Sequence, residues 1–184
     1  MRSLAAFKGD ELIKNYYQKI INIYTITFIW YNNSNRIEVR RRLAMENRET
    51  IIINTTVNAP IEKVWKYFND PEHIKKWNNA SEDWHTTSAE NDLRPGGKFS
   101  YRMEAKNGSF GFDFYGIYDE VKLYDSIAYT LGDDRKVKIT FVSEGNKTEI
   151  TESFEAEATN STELQRAGWQ SILDNFKRYT EDTV

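Results

Sequence analysis

The segment Ser161–Glu181, with the sequence STELQRAGWQSILDNFKRYTE, is typical of one long amphipathic helix. Its apolar stripe repeats at helical spacing and consists of Leu164, Gly168, Trp169, Ile172, Leu173 and Phe176. Residues 160–162 (Asn-Ser-Thr) are expected to cap the helix, in a capping box of Thr162 with Gln165 or of Asn160 with Glu163. Because strand-like segments precede this helix, we expect it to lie across their sheet and to leave a cavity, which indicates a binding fold.

Upstream of the sheet, a first strand and two short helices are predicted. Glu49–Val57 is rich in β-branched residues and is predicted to be a strand. Residues 58–60 (Asn-Ala-Pro) open a helix, because proline suits the first helical position. Asp70, just before Pro71, is expected to be the N-cap of a second helix that reaches about Trp77.

From residue 82 onward the apolar pattern changes to a period of two, which indicates about five or six antiparallel strands. Asn107-Gly108 predicts a hairpin turn, and glycine-containing turns at 132–134 and 145–146 separate the next strands. Gly116 is expected to mark a bulge or a close approach between backbones, with a change of phase after it. The short connections predict an antiparallel meander, so the fold class is α+β.

Charge and cysteine content exclude several functions. Residues 1–44 carry eight basic and three acidic residues (+5), whereas residues 45–184 carry 17 basic and 25 acidic residues (−8). Phosphate backbones require a basic face, so we expect no nucleic-acid partner. The chain has no cysteine, which excludes disulfides, thiolate metal sites and a cysteine nucleophile, and fits a cytoplasmic protein. With two histidines we expect neither a metal site nor a cofactor.

The first 44 residues are expected to be an N-terminal extension outside the fold. Ile20–Tyr31 is apolar but much shorter than the roughly 20 residues that a bilayer-spanning helix needs, so no membrane insertion is predicted. Residues typical of AT-rich codons dominate 13–35, and Arg41-Arg42 fits a translated ribosome-binding site. We therefore expect Met45 to be the natural start. The intact mass of the protein from its host tests this, and a species that begins at Met1 would contradict it.

Three segments carry a resemblance to a known family: 58–77 (NAPIEKVWKYFNDPEHIKKW), 92–104 (DLRPGGKFSYRME) and 165–179 (QRAGWQSILDNFKRY). In this order and spacing they resemble bacterial homologues of the activator of the heat-shock protein 90 ATPase. That family belongs to the START-like, or SRPBCC, helix-grip superfamily. The resemblance covers about residues 50–181, so 45–184 is expected to be one START-like domain.

The resemblance implies a curved antiparallel sheet wrapped around the C-terminal helix, with a hydrophobic cavity between them. Superfamily members bind lipids, sterols, hormones or polyketide intermediates, and some are cyclases. The eukaryotic co-chaperone contacts its chaperone through an additional N-terminal domain. Residues 1–44 do not resemble that domain, so chaperone activation is not carried over to this chain.

Two walls of the cavity can be predicted. The inward face of two neighbouring strands is expected to supply Phe99, Tyr101, Met103, Phe110, Phe112 and Phe114. The helix is expected to supply Trp169, Ile172, Leu173 and Phe176 as the opposite wall. Among these Trp169 is the strongest ligand-binding candidate, because the adjacent Gly168 would let the helix approach the sheet. The same side chains can equally well fill the space as ordinary core.

The polar candidates are few, and no catalytic residue is predicted. Trp77, Trp84 and His85 are expected at the rim of the cavity. Arg94 lies in a predicted type II turn at 94–97, from which it can reach an acidic ligand group or simply be part of a structural turn. Glu152 shares the parity of inward-facing neighbours, so it is the carboxylate expected inside the cavity, where burial would raise its pKa.

The leading hypothesis is a protein that binds a small, mostly hydrophobic molecule. One alternative is a cyclase-like or aromatase-like enzyme on a hydrophobic cyclic substrate, which requires Glu152, His85 or Arg94 inside the cavity. The other alternative is an interaction module that regulates a chaperone ATPase, which requires an exposed apolar patch outside the cavity.

Overall fold

Seven strands form one antiparallel sheet in the computed structural model, which describes residues 48–183. The strands are β1 (Thr50–Val57), β2 (Trp84–Asn91), β3 (Lys98–Ala105), β4 (Gly111–Lys122), β5 (Ser126–Leu131), β6 (Lys136–Glu144) and β7 (Lys147–Glu155). The helices are α1 (Ile61–Asn69), α2 (Pro71–Trp77) and α3 (Thr162–Asp182). The predictions for residues 1–44, including a start at Met45, lie outside the described residues.

The strands are arranged in the order β1-β7-β6-β5-β4-β3-β2. The sheet is therefore a meander from β2 to β7, and β1 joins at the far edge beside β7. The sheet curls into a half-barrel around α3, which confirms the predicted α+β helix-grip fold with two short helices after the first strand. Six strands follow those helices, at the upper end of the predicted number.

Local chemistry explains where the first elements begin and end. In β1, side chains alternate strictly between exposed and buried, as a strand with one face on the core requires. Asp70 caps α2 as predicted, because its Oδ1 accepts a hydrogen bond of 2.9 Å from the Glu72 amide. Pro71 occupies the first helical position, where a missing amide proton costs nothing.

The predicted turns and the predicted phase change have different outcomes. Gly108 has a φ of 72° in the β3–β4 hairpin, as the Asn-Gly turn requires. Gly116 is a point of close approach, because a Cβ there would lie 2.6 Å from the Thr130 carbonyl oxygen. The change of phase, however, does not occur at Gly116. The register shifts between Tyr118 and Glu120, so a bulge at Asp119 returns Val121 to the core side.

The cap of α3 lies within the predicted residues 160–162, because the N-cap is Ser161, whose Oγ accepts from the Leu164 amide at 3.3 Å. Three other details predicted for this helix are wrong, and the first is that neither predicted capping box forms. Leu164 does not continue the apolar stripe, because in the first turn of α3 its side chain is 62% exposed. Nothing packs closely against Gly168, because a Cβ at this position would meet nothing within 4 Å. The buried side chain of the first turns is instead Gln165.

The two halves of α3 pack differently against the rest of the protein. Towards its C-terminal end, Leu173 and Phe176 are almost fully buried. Phe176 contacts Phe68 of α1 and Trp77 of α2 edge to face, with both ring centroids 5.0 Å away. The two short helices therefore fill the space between this half of α3 and the sheet. No such helix covers the N-terminal half among residues 48–183, and a cavity lies there.

Candidate functional site: a cavity between the sheet and the C-terminal helix

The concave face of the sheet and the N-terminal half of α3 enclose a cavity of about 310 Å³. Of the fifteen side chains predicted for such a site, nine line it. These are Trp77, Phe99, Tyr101, Met103, Phe112, Phe114, Glu152, Trp169 and Ile172. Eight of the nine come from alternating positions on strands β3, β4 and β7 or from the helix turns that face them. The volume and the aromatic lining suit a small, mostly apolar molecule.

Trp169 forms the part of the helix wall nearest the sheet. Its indole stacks on Phe154 of β7, with centroids 4.0 Å apart and planes at 12°. Its edge meets Phe114 of β4 at 5.9 Å and 77°. The indole therefore contacts both β7 and β4. One of its faces is covered by Phe154, and part of its remaining surface lines the cavity.

Four of the predicted residues do not line the cavity, because they lie in the core, on the other face of a strand or in an exposed turn. Leu173 and Phe176 pack into the core beneath α1 and α2. His85 pairs with Glu104 across the β2–β3 ladder, and its neighbour Thr86 is the inward-facing residue. Arg94 lies in the turn before β3, where its side chain is 68% exposed and its Nη2 pairs with Asp92 at 2.8 Å. The turn itself is as predicted, because Gly96 has a φ of 78° and the Gly97 amide donates to the Arg94 carbonyl.

Trp84 and Phe110 lie beyond the cavity, at the end of the sheet. Phe110 precedes β4 and is 63% exposed, so the prediction that it faces inward is wrong. It contacts Trp84, and both rings contact Phe112, with centroids 5.9–6.3 Å apart. Phe112 is 40% exposed and also lines the cavity, so it connects this three-ring cluster to the cavity.

Eleven further lining residues were not predicted from the sequence. They are Phe68, Asn69, Asn78, Tyr118, Ile127, Tyr129, Arg135, Ile139, Glu157, Asn160 and Gln165. The alternation within β5 and β6 identifies Ile127, Tyr129 and Ile139 as inward-facing, and this signal was available. What the alternation does not show is that the curl of the sheet brings these strands around the same cavity.

Glu152 is the unusual side chain of the site. It lies on β7 between Ile53 of β1 and Ile139 of β6, its partners in the ladder, and is only 7% exposed. Among residues 48–183 no group donates a hydrogen bond to its carboxyl, which lines the cavity. Burial in this apolar wall raises the pKa of Glu152 to about 8, so the carboxyl is mostly neutral at pH 7. This confirms the inward orientation that parity indicated.

Tyrosines line the cavity on the side of β3, β4 and β5. The Tyr118 hydroxyl donates to Asn91 Oδ1 at 2.7 Å, and Asn91 Nδ2 donates to the Asn69 carbonyl at 2.7 Å. Tyr101 interacts with Tyr118 through its hydroxyl. Desolvation raises the pKa of Tyr118 to about 12 and also raises the pKa of Tyr101, so both phenols are neutral. These tyrosines therefore present rings to the cavity without adding a charge on this side of it.

Three other polar lining residues, Arg135, Glu157 and Gln165, are engaged in hydrogen bonds within the protein. Arg135 Nε donates to Asp133 Oδ2 at 2.7 Å. Glu157 accepts from the amides of Thr159 and Asn160, and these bonds lower its pKa to about 2. Gln165 Nε2 donates to the Asn160 carbonyl at 2.8 Å, and Gln165 Oε1 accepts from the Glu157 amide. This network joins the segment after β7 to the start of α3 and lines that side of the cavity.

Residues 48–183 contain no group of three or more His, Cys, Asp or Glu side chains placed to hold a metal ion. None of α1, α2 and α3 is long and apolar enough to cross a membrane.

Comparison with known proteins gives a consistent result over this region. The model of the family described as "Activator of Hsp90 ATPase homolog 1-like protein" matches residues 58–181. A solution structure of a protein from Cytophaga hutchinsonii is 56% identical, with a TM-score of 0.64, and the match covers 72% of this chain and 92% of that one. The comparison with curated proteins found no match.

Two more solved structures resemble the chain over the same region. The solution structure of the AHSA1-like protein from Aeromonas hydrophila is 45% identical, with a TM-score of 0.69, and covers 72% of this chain and 92% of its own. A crystal structure from Chromobacterium violaceum is 25% identical, with a TM-score of 0.66, and covers 73% and 99%. The matched region corresponds to nearly the whole length of each of these proteins.

Proposed function

We propose that this chain, which belongs to the Activator of Hsp90 ATPase homolog 1-like family, binds a small, mostly hydrophobic molecule between its sheet and α3. The supporting observation is the cavity of about 310 Å³, in which aromatic and aliphatic side chains from β3 to β6 face Trp169 and Ile172. An apolar molecule that enters it removes apolar surface from water on both partners, which stabilises the complex. The fold of the family commonly binds hydrophobic ligands, which is consistent with the proposal.

The test is a fluorescence titration with N-phenyl-1-naphthylamine, a neutral apolar dye that brightens outside water. We expect saturable one-to-one binding. Trp169→Ala is expected to weaken it, because the helix wall loses its largest side chain. Ile172→Trp is expected to abolish it, because the added volume fills the cavity.

The control is Ile52→Ala, which shortens a side chain on the outer face of β1 that is 54% exposed. Circular dichroism shows whether each variant remains folded. Dye binding that is unchanged in a folded Ile172→Trp protein would contradict the proposal, because the dye would then lie outside the cavity.

The enzymatic alternative now depends on Glu152 alone, because His85 and Arg94 do not line the cavity. A buried carboxyl that is mostly neutral at pH 7 is suited to donate a proton to a substrate oxygen. A cyclase-like reaction of this kind predicts turnover that Glu152→Gln abolishes without loss of dye binding. Equal turnover by the variant would remove this alternative.

The chaperone alternative has one supporting observation, the partly exposed cluster of Trp84, Phe110 and Phe112. Large exposed apolar groups often mark protein contact sites. If the cluster regulates a chaperone, the protein changes the chaperone's ATPase rate and Phe110→Ser reduces that effect. An ATPase rate that is the same with and without the protein would remove the alternative.

A further inference from the structure

Glu152 places a buried carboxyl without a hydrogen-bond partner in the wall of an otherwise largely apolar cavity. Transfer of a carboxyl into an apolar wall costs free energy unless a partner compensates it. Glu152 is 93% buried, counted from its 7% exposure, and lies between Ile53 and Ile139 on neighbouring strands. Within residues 48–183 it has no hydrogen-bond partner, and its carboxyl faces the cavity. A ligand is the partner that this position lacks.

The charges around the cavity indicate which ligand chemistry fits. Arg135 is the cationic side chain in the lining, and Asp133 offsets its charge at 2.7 Å. Glu157 is a carboxylate held by backbone amides. The ladder partners of Glu152, Ile53 and Ile139, carry no charge, and burial shifts its pKa without a contribution from Arg135. The polar group without a partner is therefore the acid Glu152. An anionic ligand would place a second negative charge beside it, which is unfavourable.

The aromatic lining also favours a cationic ligand. Tyr129 of β5 lies close enough to Glu152 for the two groups to influence each other electrostatically. Tyr129, Phe99 and Trp169 present rings to the cavity, and ring faces attract a positive charge, most strongly away from water. An acidic group set among aromatic rings is the arrangement that binds an ammonium group with an apolar body.

We propose that the cavity selects apolar amines, and that Glu152 forms the ion pair with the ligand's ammonium group. This inference rests on the proposed ligand-binding function and specifies its ligand class. The apolar body of the amine lies against the aromatic strip of β3 and β4, and the nitrogen lies at Glu152. Because burial holds Glu152 mostly neutral at pH 7, pairing with an ammonium ion ionises the carboxyl and releases its proton to solvent.

The test is isothermal titration calorimetry at pH 7 with three matched probes: tryptamine, tryptophol and indole-3-acetate. They share an indole and carry a cationic, a neutral and an anionic group. Titrations in phosphate and in Tris give the number of protons exchanged. We expect tryptamine to bind more than about tenfold tighter than tryptophol, with release of about one proton. Indole-3-acetate is expected to bind more weakly than tryptophol.

Glu152→Gln is the decisive variant, because the amide keeps the shape of the side chain and removes the acid. In it, tryptamine affinity is expected to fall to the level of tryptophol, without proton release, while tryptophol affinity stays unchanged. Glu149→Gln, which alters an exposed glutamate on the same strand, is the matched control and should retain the preference for the amine.

Three results would overturn the inference: tryptophol or indole-3-acetate binding as tightly as tryptamine, tryptamine binding without proton release, or an unchanged preference in Glu152→Gln. Its failure is distinguishable from failure of the proposed function. If N-phenyl-1-naphthylamine binds and Ile172→Trp blocks it, the cavity binds apolar molecules whatever the amine series shows. If neither the dye nor any indole binds, both proposals fail.

Discussion

At the scale of single residues, two positions are unusual for the type of residue that occupies them. A glutamate usually remains in water, yet Glu152 lies among isoleucines and aromatic rings. A glycine inside a helix usually permits close packing, yet Gly168 lies beside open space. Each position has a cost in folding free energy that a substitution can reveal.

Glu152 should make the stability of the protein depend on pH. Its pKa is about 8 in the folded chain against an ordinary value of 4.5, so the folded state binds the proton more tightly than the unfolded state. The free energy of unfolding is therefore highest, as far as this group is concerned, below about pH 4.5. It falls as the pH rises towards 8, by a few kcal/mol in total.

Urea unfolding between pH 5 and 9 checks this dependence. Relative to the wild type, Glu152→Gln is expected to gain stability as the pH rises through this window. Glu157 does not contribute to the trend, because its pKa of about 2 lies below the range. A difference between the two proteins that stays constant with pH would show that the Glu152 carboxyl is solvated.

Gly168→Ala should stabilise the protein. Alanine is a better helix former than glycine by about 1 kcal/mol, and a Cβ at this position would meet nothing within 4 Å. Gly116→Ala is the contrasting variant, because its Cβ would lie 2.6 Å from the Thr130 carbonyl oxygen and 2.8 Å from the Phe99 ring. We expect a loss of about 1–3 kcal/mol there. Chemical unfolding measures both, and a destabilised Gly168→Ala would mean that α3 packs more closely than described.

At the scale of elements, α3 depends on its cap and also covers an edge of the sheet. Ser161→Ala removes the Oγ that accepts from the Leu164 amide, so it should cost about 1 kcal/mol. Ser171→Ala is the control on the same helix, because Ser171 donates back to the Ala167 carbonyl and is exposed. Unfolding free energies decide the comparison. Equal effects of the two substitutions would show that Ser161 does not cap α3.

The outer edge of β1 is occupied by side chains of α3. Arg166 Nη1 donates to the Ile52 carbonyl, and Gln170 Nε2 donates to the Asn54 carbonyl at 3.1 Å. Free edge groups promote pairing between sheets of different molecules. The double variant Arg166→Ala/Gln170→Ala is therefore expected to self-associate more than the wild type in sedimentation velocity. Arg178→Ala, whose guanidinium bonds to Asn175, should behave as the wild type; identical profiles for all three proteins would refute the edge-covering role.

Much of the architecture follows from the sequence because the rules involved are local. Period-two alternation, Asn107-Gly108 and Asp70 act within a few residues, and they predicted the strands, a hairpin and a helix cap. The errors occur where an element ends. Leu164 and Phe110 have the spacing of buried residues, but Leu164 lies in the first turn of α3 and Phe110 just before β4, and both side chains are exposed.

The site was less predictable because it depends on contacts between distant segments. Tyr129 and Ile139 line the cavity only because the sheet curls, and curvature is not encoded in the alternation of one strand. Gln165 was expected only as part of a cap, although it joins α3 to the segment after β7 through three hydrogen bonds. Glu152 was recognised by parity, since β7 is regular and each second residue faces inward.

At the scale of the whole molecule, residues 45–184 are proposed to fold without the N-terminal extension. Residues 48–183 form their own sheet and core, and the matched structures correspond to this region over 92% or more of their own length. The chain shortened to 45–184 is expected to unfold cooperatively at the same thermal midpoint as the full chain. Loss of cooperative unfolding would show that the extension is part of the domain.

The central claim is that the space between the sheet and α3 holds an apolar molecule. Intermolecular nuclear Overhauser effects from bound N-phenyl-1-naphthylamine to methyl groups test it most directly. The account predicts contacts to the methyls of Met103, Ile139 and Ile172, which come from β3, β6 and α3 and meet only in the cavity. Contacts to Ile52 or Val142, which are exposed on the outer face of the sheet, with none to the cavity methyls, would contradict it.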